Sequence, residues 1–429
     1  MSLTQNEKIS QLTESTMVVG MDIASDRHWA RAFDWRGIEI AEVFRFENDA
    51  EGFGYLMSWI RDAAVRKNKD HVVIGAEPTG HYWFTLAEYL KKSDIKLVMV
   101  NPHHVKKSKE MDDNHPSKND RKDPKLIARL VLEGRYMIPY APEGIYAELR
   151  TAMNIRERIV RDMIRSKNQI QRWLKIYFPE YQKVFSDVYG TGSMSILREG
   201  LLPTDLIALG VDGINAIWRR IKLRAVGRKR AQQLYTAAEC SVGCTNGLAM
   251  ARIEIQLLMQ DYDAKHRQYD EIMELVESLC GQIPETAALM DISGIGLTSV
   301  AGFFAEVGDI RRFESPRQIQ KLAGLAITEN SSGKHKGKSE ISRRGRSRLR
   351  KVLFLAVFNL LGKYGDSEFR KLHQYYTTRD KNPLKKMQSI MAISCKLIRV
   401  FYAVTTKGCA YNPAKMLADI NRHAPLIAA

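Results

Sequence analysis

The chain has 429 residues, 45% of them hydrophobic and 27% charged. That is enough for about two or three domains with real cores, and it excludes a globally disordered or fibrous protein. With 66 Lys and Arg against 49 Asp and Glu, the formal charge is +17. Such a charge favours a polyanionic partner, because each phosphate that is neutralised releases condensed counterions.

A merely basic soluble protein and one that touches an anionic membrane are the alternatives that charge alone leaves open. The chain shows no run of about 18 uncharged apolar residues, and its first residues, MSLTQNEKISQLTEST, lack the basic-then-apolar order of a secretory signal. The expectation is a cytoplasmic, nucleoid-associated protein with no membrane partner. Cys240, Cys244, Cys280, Cys395 and Cys409 are scattered, which fits reduced thiols better than a disulfide framework. No second Cys or His pair follows Cys240 and Cys244 at zinc-site spacing.

In chain order, the apolar run Met17–Ile23 and the alternating stretches His28–Trp35 and Ile38–Phe44, split by Arg36-Gly37, predict a three-strand meander. Helical spacing of Phe53, Leu56, Met57 and Ile60 predicts a helix over Ala50–Val65. A strand over His71–Ala76, a helix over His81–Leu90 and a strand over Ile95–Val100 follow, with Pro78-Thr79-Gly80 and Asn101-Pro102 interrupting the pattern after the two strands. This order is that of a ribonuclease H-like mixed α/β sheet, assigned to residues 1–144.

Residues 145–282 carry almost no strand signal. Ala147–Phe178 and Met250–Leu279 have apolar residues three and four apart, which predicts two arms of an antiparallel coiled coil. Between them, about 187–247, a glycine-punctuated and basic stretch predicts an inserted helical subdomain. Residues 283–429 are expected to be mainly α.

Asp22 closes the first strand, Glu77 closes the strand after the first helix, and Asp120 and Asp123 precede the helix that begins PKLIARLVLEG. Acids gathered at strand ends are what two magnesium ions need, because hard cations take oxygen ligands and can stabilise both the attacking and the leaving oxygen in phosphoryl transfer. Singly, each has a plain alternative: a strand-end turn for Asp22, a solvated loop for Glu77, and an N-cap followed by proline for Asp123.

Ser332 lies in NSSGKHKG, a short flexible stretch before a basic run containing Lys334, Lys336, Lys338, Arg343, Arg344, Arg346 and Arg348, with only Glu340 to oppose them locally. Cations there would bind phosphate and stabilise charge at a phosphorus under attack by the hydroxyl; a Ser-Gly turn is the alternative. The SGIG segment around Gly294 and Gly296 fits either a helix-hairpin-helix turn that offers backbone amides to a DNA phosphate or a tight turn between packed helices.

Taken together, VVGMDIA, GAEPTG, KNDRKD, SGIG, KLAGL and SSG with ISRRGRSRLRKVL resemble the DEDD transposases of insertion-sequence family 110, which includes site-specific DNA invertases. The resemblance covers both ends of the chain. It implies a RuvC-like metal domain with Asp22, Glu77, Asp120 and Asp123 as ligands of Mg2+ or Mn2+, and a C-terminal transposase domain. Ser332, placed by its distance from Ala323-Gly324-Leu325, would be a nucleophile that forms a transient phosphoserine link to DNA.

It further implies that double-stranded element ends and target are paired through an element-encoded noncoding RNA, and that a homo-oligomer, dimer or tetramer, combines metal and serine domains from different subunits. The chain differs from the family pattern in having Pro124 after the last acid, Ser331 beside Ser332, and a larger helical middle. A structure-specific RuvC-like nuclease and a non-catalytic nucleic-acid-binding protein are the competing readings.

Overall fold

In the computed structural model, residues 3–93, 95–112, 123–328, 331–332, 335–337 and 340–421 are described. The chain divides into two compact units, 1–141 and 142–429.

The first unit runs α1 (Gln5–Ser10), β1 (Thr16–Ile23), β2 (Arg27–Asp34), β3 (Phe44–Glu47), α2 (Ala50–Arg66), β4 (His71–Ala76), α3 (Trp83–Leu90), β5 (Lys96–Val100), α4 (Pro102–Asp112), α5 (Asp123–Leu132) and β6 (Tyr136–Met137). Its strands form one six-stranded mixed sheet in the order β3-β2-β1-β4-β5-β6. β1, β4 and β5 are parallel, while β2, β3 and β6 pair antiparallel with their neighbours.

Alternate residues of β1 explain why both faces are covered. Met17, Val19, Met21 and Ile23 pack with Phe53, Leu56 and Ile60 of α2 and Leu86 of α3. Val18 points the other way, with Val98, Val105 of α4 and Ile127 and Val131 of α5. Asp49 starts α2 by accepting a hydrogen bond from the Gly52 amide at 2.7 Å, as an N-cap aspartate does.

The third strand lies later than the sequence predicts. Pairing resumes at Ala30↔Phe44, and the Ile38 region makes only an isolated bridge, Phe33↔Glu39. The aromatic pattern wins over the Ile38/Ile40 alternation: Phe46 is buried against His28 and Phe53, whereas Ile38 is 53% exposed. The short β6 was also not legible in the pattern, and α3 starts at Trp83 rather than His81.

The second unit runs α6 (Gly144–Tyr177), α7 (Tyr181–Val184), α8 (Thr191–Arg198), α9 (Pro203–Arg220), α10 (Arg228–Glu239), α11 (Leu248–Gly281), α12 (Glu285–Met290), α13 (Leu297–Val307), α14 (Pro316–Leu322), β7 (Ile327–Thr328), β8 (Ser331–Ser332), β9 (His335–Lys336), β10 (Glu340–Ile341), α15 (Ser347–Leu360), α16 (Ser367–Thr378), α17 (Lys386–Lys407) and α18 (Pro413–Asn421). α6 and α11 have 34 residues each, so each spans about 50 Å at 1.5 Å per residue.

They pack antiparallel, since the late residues Ile170, Trp173 and Leu174 of α6 share a core with the early residues Ala251, Ile255 and Leu258 of α11. At the opposite end Leu149 and Ala152 of α6 meet Val276 and Cys280 of α11. Trp173 closes the first of these contacts by donating its indole N–H to the Ala251 carbonyl at 2.8 Å.

Each end of this pair grows its own core. α7–α10 pack around Trp218 and Tyr181 at one end, and α12–α18 around Phe303, Phe304 and Phe401 at the other. α17 is long and apolar enough to cross a membrane. Its Ile390, Ile393, Leu397, Ile398, Phe401 and Val404, however, are buried in the second of these cores.

Candidate functional site

The parallel pairing of β1 with β4 aligns Met21 with Ala76. The next residue on each strand is Asp22 and Glu77, so two carboxylates leave adjacent strands at the same level. Asp22 shares a sheet face with Gly20, and Glu77 continues the Gly75 side, because alternate residues line one face. That is the face covered by α5. A β-carbon on Gly20 would collide with the Pro124 carbonyl and stand 2.8 Å from the Ala128 nitrogen. The bare backbone of Gly20 therefore lets the first turn of α5 lie directly on β1.

Asp123 is the first residue of that helix and Pro124 the second. The proline removes an amide that has no intrahelical partner there, and the acid meets the positive end of the helix dipole. The sequence places Asp123 just before the helix, as an N-cap; the described helix already includes it. Asp22, Glu77 and Asp123 are all half-buried. Asp120 lies outside the described residues, as do Lys334 and Lys338.

One cation enters this group that sequence reasoning missed. Lys109, on α4, donates from Nζ to Asp123 Oδ2 at 2.5 Å. Burial pushes the Glu77 carboxyl above its usual range; the Lys109 charge opposes this and the Asp123 charge adds to it. Fourteen residues separate Lys109 from Asp123, and no helical or strand period links them, so only the fold reveals the pair.

Among the described residues no three His, Cys, Asp or Glu side chains converge closely enough to hold a metal ion. The donors present are nonetheless carboxylate oxygens, the type a hard divalent cation takes. The Lys109 ammonium supplies positive charge to two of them; in donor type, though not in convergence among the described residues, the group suits such an ion.

In the second unit, Ser331 and Ser332 form β8 and pair with Lys336 and His335 of β9. β7 and β10 pair below them, Ile327 with Ile341 and Thr328 with Glu340. Among the described residues, the stretch expected to be a flexible loop in a mainly helical region therefore holds short antiparallel strand pairs. Its polar strands carry no hydrophobic alternation, which is why the pattern did not announce them.

The ribbon is tied down at its base. Ser342 N donates to Ala326 O at 2.8 Å, Arg343 N to Gly324 O at 3.0 Å, and Arg346 N to Leu322 O at 2.7 Å. A side chain on Gly345 would collide with the Leu322 carbonyl.

The basic run divides into two kinds of residue. Arg343 and Arg344 are exposed, and Arg343 adopts a left-handed φ of 54°. Arg346 instead donates to the Glu306 carbonyl at 2.7 Å, and with Arg150, which reaches the Ala305 carbonyl at 2.7 Å, it satisfies the C-terminal end of α13. Arg348 pairs with Glu157 of α6 at 3.3 Å. The local charge count found only Glu340 because these acids come from distant parts of the chain.

Gly294 and Gly296 join α12 to α13. Gly294 has φ 91°, and a β-carbon there would press on Gly365 and Leu360. Gly296 is the N-cap of α13 and provides no side-chain cap. The turn therefore has a packing reason for its first glycine and free space at its second, where no heavy atom lies within 4 Å of an added β-carbon.

A mixed α/β unit with acids at adjacent parallel strand ends, and a helical unit with a serine ribbon and an arginine-rich loop, together define the class of DNA-recombination enzymes once comparison with known proteins is added. A family model of DEDD type, described as Transposase, matches residues 19–179, and one described as Transposase IS116/IS110/IS902 family matches residues 286–374. The chain belongs to this IS110-type transposase family.

The chain is 22% identical over 409 residues to an "Insertion element IS116 uncharacterized 44.8 kDa protein" of Streptomyces clavuligerus, covering 92% of this chain and 96% of that one. It is 26% identical over 373 residues to a "Pilin gene-inverting protein" of Moraxella bovis, covering 86% and 89%.

Proposed function

We propose that the chain cuts and rejoins double-stranded DNA, using Asp22, Glu77, Asp120 and Asp123 as a metal-binding set and Ser332 as nucleophile. The observation that carries this reading is the β1/β4 register, which brings Asp22 and Glu77 together on the face where α5 delivers Asp123. A strand order of β3-β2-β1-β4-β5 with β2 antiparallel supports a ribonuclease H-like, RuvC-like assignment for the first unit. The heptad-like burial along α6 and α11 supports a coiled-coil arm.

Mg2+ or Mn2+ bound by these carboxylates would supply Lewis-acid stabilisation of the charge that builds on the phosphate. The serine Oγ forms a bond to phosphorus as the phosphorus bond to one deoxyribose oxygen breaks; the hydroxyl proton is lost from the serine and the released deoxyribose oxygen takes one up. The phosphoserine link conserves the bond for rejoining, when that deoxyribose oxygen or its counterpart on a second strand attacks the same phosphorus. Lys334, Lys336, Lys338, Arg343 and Arg344 hold phosphates around the serine. The uncapped amides of α13 at Gly296 offer a further phosphate contact.

An element-encoded RNA would supply the choice of DNA site, and a homo-oligomer would bring metal and serine units together from different subunits. Divalent-metal-dependent strand cleavage of element-end DNA tests the carboxylate set. Asp22→Asn, Glu77→Gln and Asp123→Asn are each expected to lower the rate at least about a hundredfold with DNA binding retained. Full activity in all three variants would leave a carboxylate-independent enzyme.

A further inference from the structure

Lys109 has no part in the sequence motif, yet it forms an ion pair with one of the carboxylates. Its ammonium is 2.5 Å from Asp123 Oδ2 and its charge also acts on Glu77. Two half-buried acids that face one another repel unless a cation lies with them. The side chain is 40% exposed on α4, so it reaches the acids from the solvent side and can leave without any break in the core. We propose that Lys109 is a built-in placeholder cation: a positioning residue that neutralises Glu77 and Asp123 in the metal-free protein and is displaced when a divalent ion binds.

The inference rests on the metal reading above and goes beyond it. A divalent ion must expel the ammonium before it gains Asp123, so the lysine lowers metal affinity and in exchange keeps the empty site folded. Removing it should make the protein bind metal more tightly and depend on metal more for stability. A lysine that only braced α4 against α5 would change neither quantity in that direction.

The test is Mn2+ titration of the full-length protein followed by electron paramagnetic resonance of the free ion, with thermal unfolding in parallel. Sites are counted as those lost in Asp22→Asn. Lys109→Met and Lys109→Gln are expected to bind Mn2+ about tenfold more tightly than wild type. They should also unfold at lower temperature without metal and recover the wild-type temperature with it, while Lys109→Arg behaves as wild type.

Equal Mn2+ affinity in wild type, Lys109→Met and Lys109→Gln, with Asp22→Asn still losing the site, overturns the placeholder role and leaves the metal site standing. Absence of any Asp22-dependent Mn2+ site in wild type and in the lysine variants removes the metal reading and this inference with it.

Discussion

Glu77 is raised above the ordinary carboxylate range first by burial, with Lys109 pulling it down and Asp123 pushing it up. An acid whose folded pKa is raised contributes most to stability below its unfolded pKa and loses that contribution as pH rises through the folded value. Ionised Glu77 thus works against folding at neutral pH. Glu77→Gln is expected to raise the melting temperature of the metal-free protein by a few degrees at about pH 8. The gain should vanish as pH falls below the ordinary carboxylate pKa. Thermal unfolding across pH without divalent ions checks this.

Asp34 is the opposite case. Burial acts to raise its pKa, but the amides of Ile38 and Arg36 and the Arg36 guanidinium outweigh it and hold the carboxyl below its usual value. Its ionised form closes the turn after β2. That contribution is present above the unfolded pKa and is lost as pH falls through the folded one. Asp34→Ala should therefore destabilise by about 1–3 kcal/mol at neutral pH, by leaving two amides unpaired, and by less in acid. Urea unfolding at two pH values measures the difference.

At the scale of elements, α5 is the part on which the first site depends. Gly20 lets it touch β1, so Gly20→Ala must push the helix off the strand. A cost of at least about 2 kcal/mol is expected from overpacking of backbone against backbone, with loss of cleavage even though no acid is altered. A Gly20→Ala protein of wild-type stability would mean that α5 does not lie directly on β1 at Gly20.

Asp22, Glu77 and Asp123 were legible because each lies at the end of an element whose hydrophobic period is clear. That Asp22 and Glu77 leave adjacent strands on the face covered by α5 was not, since it needs the β1/β4 register and a glycine whose role appears only once a helix lies across it. The strand pairs around Ser332 were hidden for a different reason: each strand has only two residues, too few to carry a hydrophobic period. The shift of the third strand to Phe44–Glu47 came from the larger area that Phe46 buries against α2.

Across the whole molecule, charge sums were a sound guide to partner class and a poor guide to individual contacts. Arg346 and Arg348 read as phosphate ligands with Arg343 and Arg344, yet the first caps α13 and the second meets Glu157. Arg346→Ala is expected to lower stability by about 1 kcal/mol through loss of its hydrogen bond to the Glu306 carbonyl, which is left with Arg150 as donor. Arg344→Ala should leave stability unchanged and reduce the salt slope of DNA binding by about one. Unfolding and salt-titrated binding of the two variants separate the roles.

We propose that acids of one unit and a serine of the other serve one reaction. The most direct test is the in vitro reaction of element-end DNA with magnesium and co-expressed element RNA, resolved on a denaturing gel with and without protease. Wild type is expected to give a protease-sensitive protein–DNA adduct that both Ser332→Ala and Asp22→Asn abolish. If Ser332→Ala still cuts DNA while Asp22→Asn does not, the protein is a metal-dependent nuclease and the serine is not its nucleophile.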